Sequence, residues 1–251
     1  MDLGLADRTY IVTGGTRGLG RAAAEVLVAE GARVVISSRS QESVDDAVEA
    51  LGASAVGVVA DNADAETPAR LVDAARDHFG RLDGALISVG GPTAGPITER
   101  TDDEWRAAFD SVFLGALRLA TTVADALGDG GSIAFVLSTS VKAPIQGLGI
   151  SNGLRPGLAM AAKTLADELG PRGIRVNDLL PGRVDTERVQ ELDAMSGDAA
   201  ATKEKHLATI PLRRYGEPAE FARAAAFLLS PAASYVNGTM IPVDGGLTRS
   251  L

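Results

Sequence analysis

The stretch that decides the fold is Thr13-Gly14-Gly15-Thr16-Arg17-Gly18-Leu19-Gly20, which joins an apolar run at Thr9–Thr13 to a helical pattern over residues 19–30. Glycines at such a junction permit a tight turn, a close backbone approach to a pyrophosphate, and close packing of the helix on the strand. The start of the helix offers free N–H groups and a positive dipole end to an anion. Because the loop follows the first strand and opens the first helix, it favours a dinucleotide site over an ordinary strand–helix turn.

The same order of strand and helix repeats along the rest of the chain. The strand candidates run mostly apolar, as strands buried on both faces do. They are Thr9–Thr13, Arg33–Ser37, Ala55–Ala60, Gly84–Val89, Ser132–Ser138, Ile174–Leu180 and Met240–Val243. Helix patterns lie between them near residues 19–30, 41–51, 64–79, 102–127, 156–170 and 218–229. The alternation predicts an α/β fold, a single-domain Rossmann fold over residues 1–251 with a doubly wound parallel seven-stranded sheet and helices on both faces.

Composition excludes several classes of function. The formal net charge of −9 disfavours nucleic acid and anionic membranes as partners, because both require clustered Lys and Arg. The absence of cysteine excludes disulfides, thiolate catalysis and zinc–thiolate sites, and two histidines are too few for a histidine-rich metal site. We therefore expect no metal, and we expect a cytoplasmic protein, because no signal sequence or long uncharged apolar run is evident.

The end of the second predicted strand bears on which dinucleotide is bound. An enzyme that uses NAD would carry Asp or Glu there to hold the ribose 2′-hydroxyl. This chain instead reads Ser37-Ser38-Arg39-Ser40. Arg39, with Arg17 in the glycine loop, can grip a 2′-phosphate through charge-assisted hydrogen bonds. Two cations beside one predicted pocket favour NADP(H), the alternative being that both are solvated surface residues.

The glycine loop resembles the TGxxxGxG motif of short-chain dehydrogenases/reductases, and the resemblance extends over essentially the whole chain. Asp61 stands where that family has an adenine-contacting Asp, Pro181-Gly182 with Thr186 resembles the segment that meets the nicotinamide, and Val243-Asp244-Gly245-Gly246 is similar to the closing strand. The nearest likeness is to the 3-oxoacyl-carrier-protein reductase type. The resemblance implies these cofactor-binding residues: Gly14, Thr16, Arg17, Gly18, Leu19, Gly20, Ser38, Arg39, Asp61, Asn62, Gly90, Arg155, Pro181, Gly182, Val184 and Thr186.

The catalytic positions implied by the resemblance are mostly changed. The family uses a Ser, a Tyr, a Lys four residues after the Tyr, and an Asn on the preceding long helix. The Ser falls on Ser138, but Ser151 stands at the Tyr position, Arg155 at the Lys position and Val112 at the Asn position. The downstream match at Gly173-Ile174-Arg175-Val176-Asn177 needs no gap, so the substitutions do not arise from a misplaced alignment.

These substitutions have unequal consequences. Arg155 keeps a positive charge and donors that can bind ribose hydroxyls. Ser151 is the greater loss, because a Tyr pKa starts near ~10 and can be tuned toward the working pH, whereas an aliphatic hydroxyl cannot be. We expect Ser151 to hydrogen-bond an oxygen but to be a poor proton source.

The local sequence also predicts a disturbed helix. Asn152 and Gly153 are poor helix formers, and Pro156 fits best in a first turn. We therefore expect the helix to start near Pro156 or to be distorted before it, so that Ser151 and Arg155 do not share a helical face.

Few other residues offer a proton. Lys142 follows Ser138 closely, and we interpret it as a solvated loop lysine. His206 titrates in a useful range, and we interpret it as an exposed helix residue. The tyrosines are assigned packing roles; they are Tyr10, Tyr215 and Tyr235.

Two segments suggest further features. Residues 185–211 follow a strand end and predict a lid over a ligand crevice. The helix over residues 107–124 is small or apolar almost all round, so we expect it to be buried on more than one side. With its neighbour at 156–170 it suggests a subunit interface, and the family resemblance implies a homotetramer, or at least a dimer.

Three functions remain open at this point. The first is an NADP(H)-dependent oxidoreductase that reduces a carbonyl or a conjugated double bond of a small molecule with atypical proton delivery. The dienoyl-CoA reductase branch of the superfamily resembles this chain in carrying Ser at the Tyr position, although it keeps the Lys and Asn. The second is a catalytically impaired NADP(H)-binding sensor or partner subunit. The third, a scaffold without nucleotide, is disfavoured by the intact glycine loop.

Overall fold

The computed structural model describes residues 2–195 and 197–250, so Ser196, inside the predicted lid, lies outside the described residues. A seven-stranded sheet has the order β3-β2-β1-β4-β5-β6-β7, and every neighbouring pair is parallel. Its strands are β1 (Thr9–Thr13), β2 (Arg33–Ser38), β3 (Ala55–Val59), β4 (Gly84–Ser88), β5 (Gly131–Val136), β6 (Ile174–Pro181) and β7 (Met240–Val243). The predicted fold is thus confirmed.

Helices cover both faces of the sheet. They are α1 (Gly18–Ala29), α2 (Gln41–Leu51), α3 (Thr67–Phe79), α4 (Asp102–Ala108), α5 (Gly115–Ala126), α6 (Gly149–Leu169), α7 (Glu187–Ala194), α8 (Ala199–Thr209) and α9 (Pro218–Leu229). One buried apolar cluster joins the sheet to α1, α2 and α9, and a second joins it to α3, α5 and α6. Two cores on opposite faces are what a doubly wound sheet requires, because each face must bury its own apolar side chains.

The strand order reverses at β1, which pairs with both β2 and β4. At the carboxyl ends of β1 and β4, the hydroxyl of Thr13 donates to the Ser88 carbonyl (2.9 Å) and accepts from the Ser88 N–H (2.8 Å). In open α/β sheets, ligands bind in the crevice outside the strand ends at such a reversal. The topology therefore places the ligand crevice beside the glycine loop.

Helix α6 corrects one sequence prediction. It runs without a break from Gly149 to Leu169 with Pro156 inside it, so a start near Pro156 is wrong. The Asn152 side chain bonds both the N–H (3.0 Å) and the carbonyl (2.8 Å) of Ile145, and a Cβ at Gly153 would lie 2.6 Å from the Trp105 ring. These tertiary contacts override the weak propensity of the two residues. Ser151 and Arg155 consequently do share a buried face of the helix.

Helices α4 and α5 form one long helix with a π-helical segment, Phe109–Leu114, between them. By length and composition alone, Asp102–Ala126 could cross a membrane, but its buried side packs in the core against α3 and the sheet. The opposite side is only partly covered, and Phe109 is exposed. Burial on more than one side, which we expected for residues 107–124, is therefore not seen within the chain.

The tyrosines differ in environment. Tyr10 is buried and its hydroxyl donates to the Leu229 carbonyl (3.3 Å), and Tyr215 is buried against Asp193, so both pack as expected. The packing role assigned to Tyr235 is wrong, because that side chain is fully exposed in the loop before β7.

Candidate functional site

A cavity of about 570 Å³ opens at the carboxyl ends of the strands. It is lined by every residue that the sequence singled out for the site: Gly14, Thr16, Arg17, Gly18, Leu19, Gly20, Ser38, Arg39, Asp61, Asn62, Gly90, Ser138, Ser151, Arg155, Pro181, Gly182, Val184 and Thr186. We call the part around Gly14–Gly20, Arg39 and Asp61 the nucleotide end, and the part around Ser138, Ser151 and Arg155 the catalytic end. Their separate roles remain predictions.

The glycine loop has the backbone geometry that its sequence predicts. Gly14 and Gly18 adopt positive φ values of 60° and 54°, a region that other residues rarely occupy. A Cβ at Gly20 would overlap the carbonyl oxygen of Gly14, so only glycine lets α1 approach the strand end so closely. The loop thus presents backbone rather than side chains to the cavity, which suits a pyrophosphate at the start of α1.

The far wall of the nucleotide end carries Arg17 and Arg39, both exposed. Within residues 2–195 and 197–250 neither forms an ion pair. Ser38 ends β2 beside them, and the stretch Ser37–Ser40 carries no carboxylate. Two free guanidinium groups at this place match a 2′-phosphate better than a 2′-hydroxyl.

Two polar residues after β3 close the nucleotide end. The Asp61 carboxylate accepts from the Ala63 N–H (3.0 Å), which orders the turn into α3. The Asn62 amide reaches the Ser88 carbonyl (3.5 Å) and so ties this turn to the end of β4. Beside them Gly90 has a positive φ of 64°, and a Cβ there would meet no atom within 4 Å, so the space next to it is open. The residues present therefore fit a dinucleotide.

At the catalytic end, three serines lie close together. Ser138 begins the turn after β5 and accepts from the Ser140 N–H (3.1 Å) at its Oγ, while remaining partly open to the cavity. The hydroxyls of Ser140 and Ser151 are 3.4 Å apart. Ser140 is a residue that sequence reasoning missed, because its contact with Ser151 depends on how α6 packs on the turn. The cluster can bind an oxygen atom, but no member is acidic enough to release a proton readily.

Arg155 forms hydrogen bonds within the fold that the sequence did not predict, and its part in binding the cofactor ribose stays a prediction. Its Nη1 donates to the carbonyls of Val136 (3.0 Å) and Leu137 (2.9 Å), and its Nη2 donates to the Gly90 carbonyl (2.6 Å). The side chain therefore joins the end of β5 to the loop after β4. Burial, followed by the charge of Arg188, lowers the pKa of Arg155 to about 10.

The aligned Asn position also lies at this end. Val112 is buried, belongs to the π-helical segment and lines the cavity. An apolar side chain there cannot hold a water by hydrogen bonding, so the proton relay implied by the family resemblance lacks both its Tyr and its Asn side chains.

The segment over 185–211 folds into α7 and α8, which stand over the cavity opening. Asp193 of α7 is buried and accepts from Arg183 (3.0 Å) and from the Tyr215 hydroxyl (2.8 Å). Nε2 of His206 in α8 lies 3.9 Å from the same carboxylate. This cluster fastens α7 and α8 to the strand ends. Whether the segment opens and closes as a lid remains a prediction.

The two residues considered as proton sources have different environments. Lys142 is exposed and is not among the described residues that line the cavity, which agrees with its interpretation as a solvated loop lysine. His206 does line the cavity and is only partly exposed, so its interpretation as a merely exposed helix residue is wrong. Burial, then the charge of Arg183, lowers the pKa of His206. Its place could not be read from the sequence, since it depends on how α8 folds back over the strands.

Comparison with known proteins supplies a family. The family model described as enoyl-(acyl carrier protein) reductase matches residues 14–248. An uncharacterised oxidoreductase of Mycobacterium tuberculosis is 36% identical over 262 aligned residues, which cover 98% of this chain and 95% of the relative. The 2,5-dichloro-2,5-cyclohexadiene-1,4-diol dehydrogenase of Sphingobium indicum (strain UT26) is 35% identical over 249 residues, covering 97% and 98%. The crystal structure of L-sorbose reductase from Gluconobacter frateurii, complexed with NADPH and L-sorbose, matches over 100% of both chains with a TM-score of 0.94 and 28% identity.

Proposed function

Because the chain belongs to the short-chain dehydrogenase/reductase superfamily, we propose that it is an NADP(H)-dependent oxidoreductase that reduces a carbonyl group or a conjugated double bond of a small molecule with atypical proton delivery. The observation that carries the choice of cofactor is the pair of exposed arginines, Arg17 and Arg39, at a strand end without a carboxylate. The similarity to an L-sorbose reductase solved with NADPH supports the same choice.

The nucleotide end would hold the cofactor. The N–H groups of the loop and of the start of α1 would bind the pyrophosphate, and Ser38 with the two arginines would bind the 2′-phosphate. Pro181, Gly182 and Thr186 would line the nicotinamide side. When bound, the nicotinamide supplies or accepts a hydride, and the protein positions the reactants.

The catalytic end would bind the substrate but not protonate it directly. Ser138 and Ser151 would hold a substrate oxygen by hydrogen bonds, because both residues line the cavity and both are in contact with Ser140. Ser151 cannot replace Tyr as an acid, since an aliphatic hydroxyl has too high a pKa. We propose water as the proton source, which suits a conjugated double bond whose protonation takes place at carbon.

A second function is favoured by one observation. Arg155 directs three hydrogen bonds to main-chain carbonyls, as a structural residue does. An NADP(H)-binding sensor, or a partner subunit of an active homologue, would keep the residues that bind the nucleotide and lose the tyrosine that donates the proton. Under this alternative the chain binds nucleotide and turns nothing over.

Assembly and location are also proposals. Phe109 is exposed and lines a groove together with Trp105, Leu154, Arg106 and Asp110, and Met160 is exposed farther along α6. Apolar surface of this kind fits a second copy of the chain, so we propose a homo-oligomer, a tetramer or a dimer, in the cytoplasm.

The test has two steps. Fluorescence titration with NADPH and separately with NADH should give saturable binding that prefers NADPH, because only NADPH carries the 2′-phosphate. A panel of enones and ketones is then tested as substrates, and the oxidation of NADPH is followed by absorbance. Turnover that falls in Ser138→Ala supports the oxidoreductase, whereas nucleotide binding without turnover supports the sensor or partner. No binding of either nucleotide would contradict both functions.

A further inference from the structure

Two arginines converge on one short loop at the catalytic end. Nη2 of Arg155, from α6, donates to the Gly90 carbonyl (2.6 Å), and Nη2 of Arg188, from α7, donates to the Pro92 carbonyl (3.0 Å). Nε of Arg188 lies 2.8 Å from where a Cβ on Gly91 would stand, so its guanidinium covers that glycine. Both side chains line the cavity. The loop 90–92 is thus flanked by a cation on either side.

Neither charge is neutralised in full. Among the described residues, no carboxylate lies within ion-pair distance of Arg155, although the side chain is only 7% exposed. Arg188 has one carboxylate contact, Glu191 at 3.5 Å, between side chains that are both exposed. A solvent-exposed pair of this kind contributes little. Buried charges are ordinarily paired, and like charges placed close together repel each other.

The remaining charged groups at the catalytic end do not neutralise Arg155 or Arg188. Arg183 is satisfied by Asp193 at 3.0 Å. The carboxylate of Glu187 is directed toward Gly18 in the glycine loop. His206 carries little charge at neutral pH, because burial and the charge of Arg183 lower its pKa. Among the described residues Arg155 therefore keeps a positive charge without an ion-pair partner at this end, in a protein whose overall charge is −9.

Resting on the proposed function, we propose that the substrate carries a carboxylate group next to its reacting carbonyl or double bond, and that Arg188 binds that carboxylate beside the buried charge of Arg155. A carboxylate offers two oxygens in the plane that a guanidinium fork matches. Ser138 and Ser151 lie at the same end and would hold the reacting group. The substrate class is therefore a keto acid or an unsaturated acid, and Arg188 determines specificity for it.

A pyrophosphate is the other oxyanion that could meet these arginines, so the experiment separates the two sources. Succinate is titrated by calorimetry into the protein alone and into the protein saturated with NADPH, whose pyrophosphate then occupies its own site. Succinamide serves as the neutral probe of the same shape. The expected result is saturable succinate binding that persists with NADPH present, with succinamide at least tenfold weaker.

The variants test the assignment to Arg188. Arg188→Gln should weaken succinate binding about 10-fold to 100-fold, the range for a lost hydrogen bond between charged groups, and leave NADPH affinity unchanged. Arg188→Lys should lose less, because it keeps the charge. Arg33→Gln removes an arginine that is as exposed as Arg188 but pairs with Asp7 at the amino end of β2. It is the matched control and should change neither the succinate affinity nor the NADPH affinity.

Three outcomes would overturn the proposal. The first is equal binding of succinate and succinamide, or no succinate binding to either form of the protein. The second is succinate affinity within twofold of wild type in Arg188→Gln. The third is loss of succinate binding when NADPH is present combined with weaker NADPH binding in Arg188→Gln, which would assign the arginine to the pyrophosphate. Failure to bind NADPH would instead count against the proposed function, since the titrations without NADPH still decide the carboxylate site.

Discussion

At the nucleotide end of the cavity, Arg17 and Arg39 are exposed and form no ion pair with another described residue, whereas at the catalytic end Arg155 is buried and bonded to three main-chain carbonyls. Arg17 and Arg39 have donors available for a ligand, whereas Arg155 uses most of its hydrogen-bond donors within the fold. Arginine side chains thus have donors free for a ligand at one end of the cavity and stabilise the fold at the other end. The difference shows that arginines lining one cavity can keep their donors free in one part of it and use them for main-chain carbonyls in another.

The largest effect is expected at the glycine loop. In Gly20→Ala the new Cβ would overlap the Gly14 carbonyl oxygen, and the contact is with backbone that cannot move aside cheaply. We expect NADPH binding to fall at least 100-fold and the free energy of unfolding to fall by about 1–3 kcal/mol, as for overpacking. Fluorescence titration and thermal melts measure the two effects.

The matched control for that variant is Gly128→Ala. A Cβ at Gly128 meets no atom within 4 Å, so neither property should change. If Gly20→Ala binds NADPH as the wild type does, close approach of α1 to the strand end is not what the nucleotide end requires.

The second effect concerns the sheet beneath the catalytic end. Asp178 lies on β6 and is buried, its Oδ1 has no hydrogen-bond partner among the described residues, and burial raises its pKa to about 8. The unfolded carboxyl titrates near ~3.9. Between these values the folded state holds a proton that the unfolded state has lost, so stability falls as the pH rises from about 4 to 8.

Asp178→Asn removes this proton linkage. We expect the variant to be more stable than the wild type, by a margin that grows from pH 5 to pH 8 and then levels off. Thermal melts at intervals across that range provide the measurement. A stability margin that shrinks as the pH rises would contradict this expectation. Asp129→Asn, at an exposed loop position, is the matched control.

A smaller effect separates the two kinds of arginine. Arg155→Met leaves three main-chain carbonyls without their donor, two at the end of β5 and one in the loop after β4, and we expect a loss of about 1–3 kcal/mol in the free energy of unfolding. Arg39→Ala should change stability by less than about 0.5 kcal/mol, because the side chain is exposed and unpaired among the described residues. Denaturant titration of both variants is the measurement. Equal stability of the two would show that Arg155 is not part of the framework.

The backbone geometry of the glycine loop could be predicted from the sequence because its determinants are local. Positive φ at Gly14 and Gly18 and the tight packing of Gly20 follow from one contiguous loop. The strand ends that bring Ser38 and Asp61 to the same cavity follow from the alternation of strands and helices. Such features need no knowledge of distant contacts.

The catalytic end was predicted less well because its determinants are distant in the chain. The first turns of α6 depend on the bonds of Asn152 to Ile145 and on Trp105 packing against Gly153, which outweigh local propensity. The position of Arg188 over the loop 90–92 spans almost a hundred residues of sequence. Neither contact leaves a periodic or composition signal.

One titration tests the contrast between the two ends directly: the dissociation constant of NADPH in the wild type, Arg39→Ala and Ser151→Ala, measured by fluorescence in the same buffer. We expect Arg39→Ala to weaken NADPH binding at least tenfold, since it removes a charged donor to the 2′-phosphate, and to narrow the preference for NADPH over NADH. Ser151→Ala should bind NADPH as the wild type does. Unchanged NADPH affinity in Arg39→Ala, or an equal loss of NADPH affinity in both variants, would contradict the claim that the nucleotide end binds NADP(H).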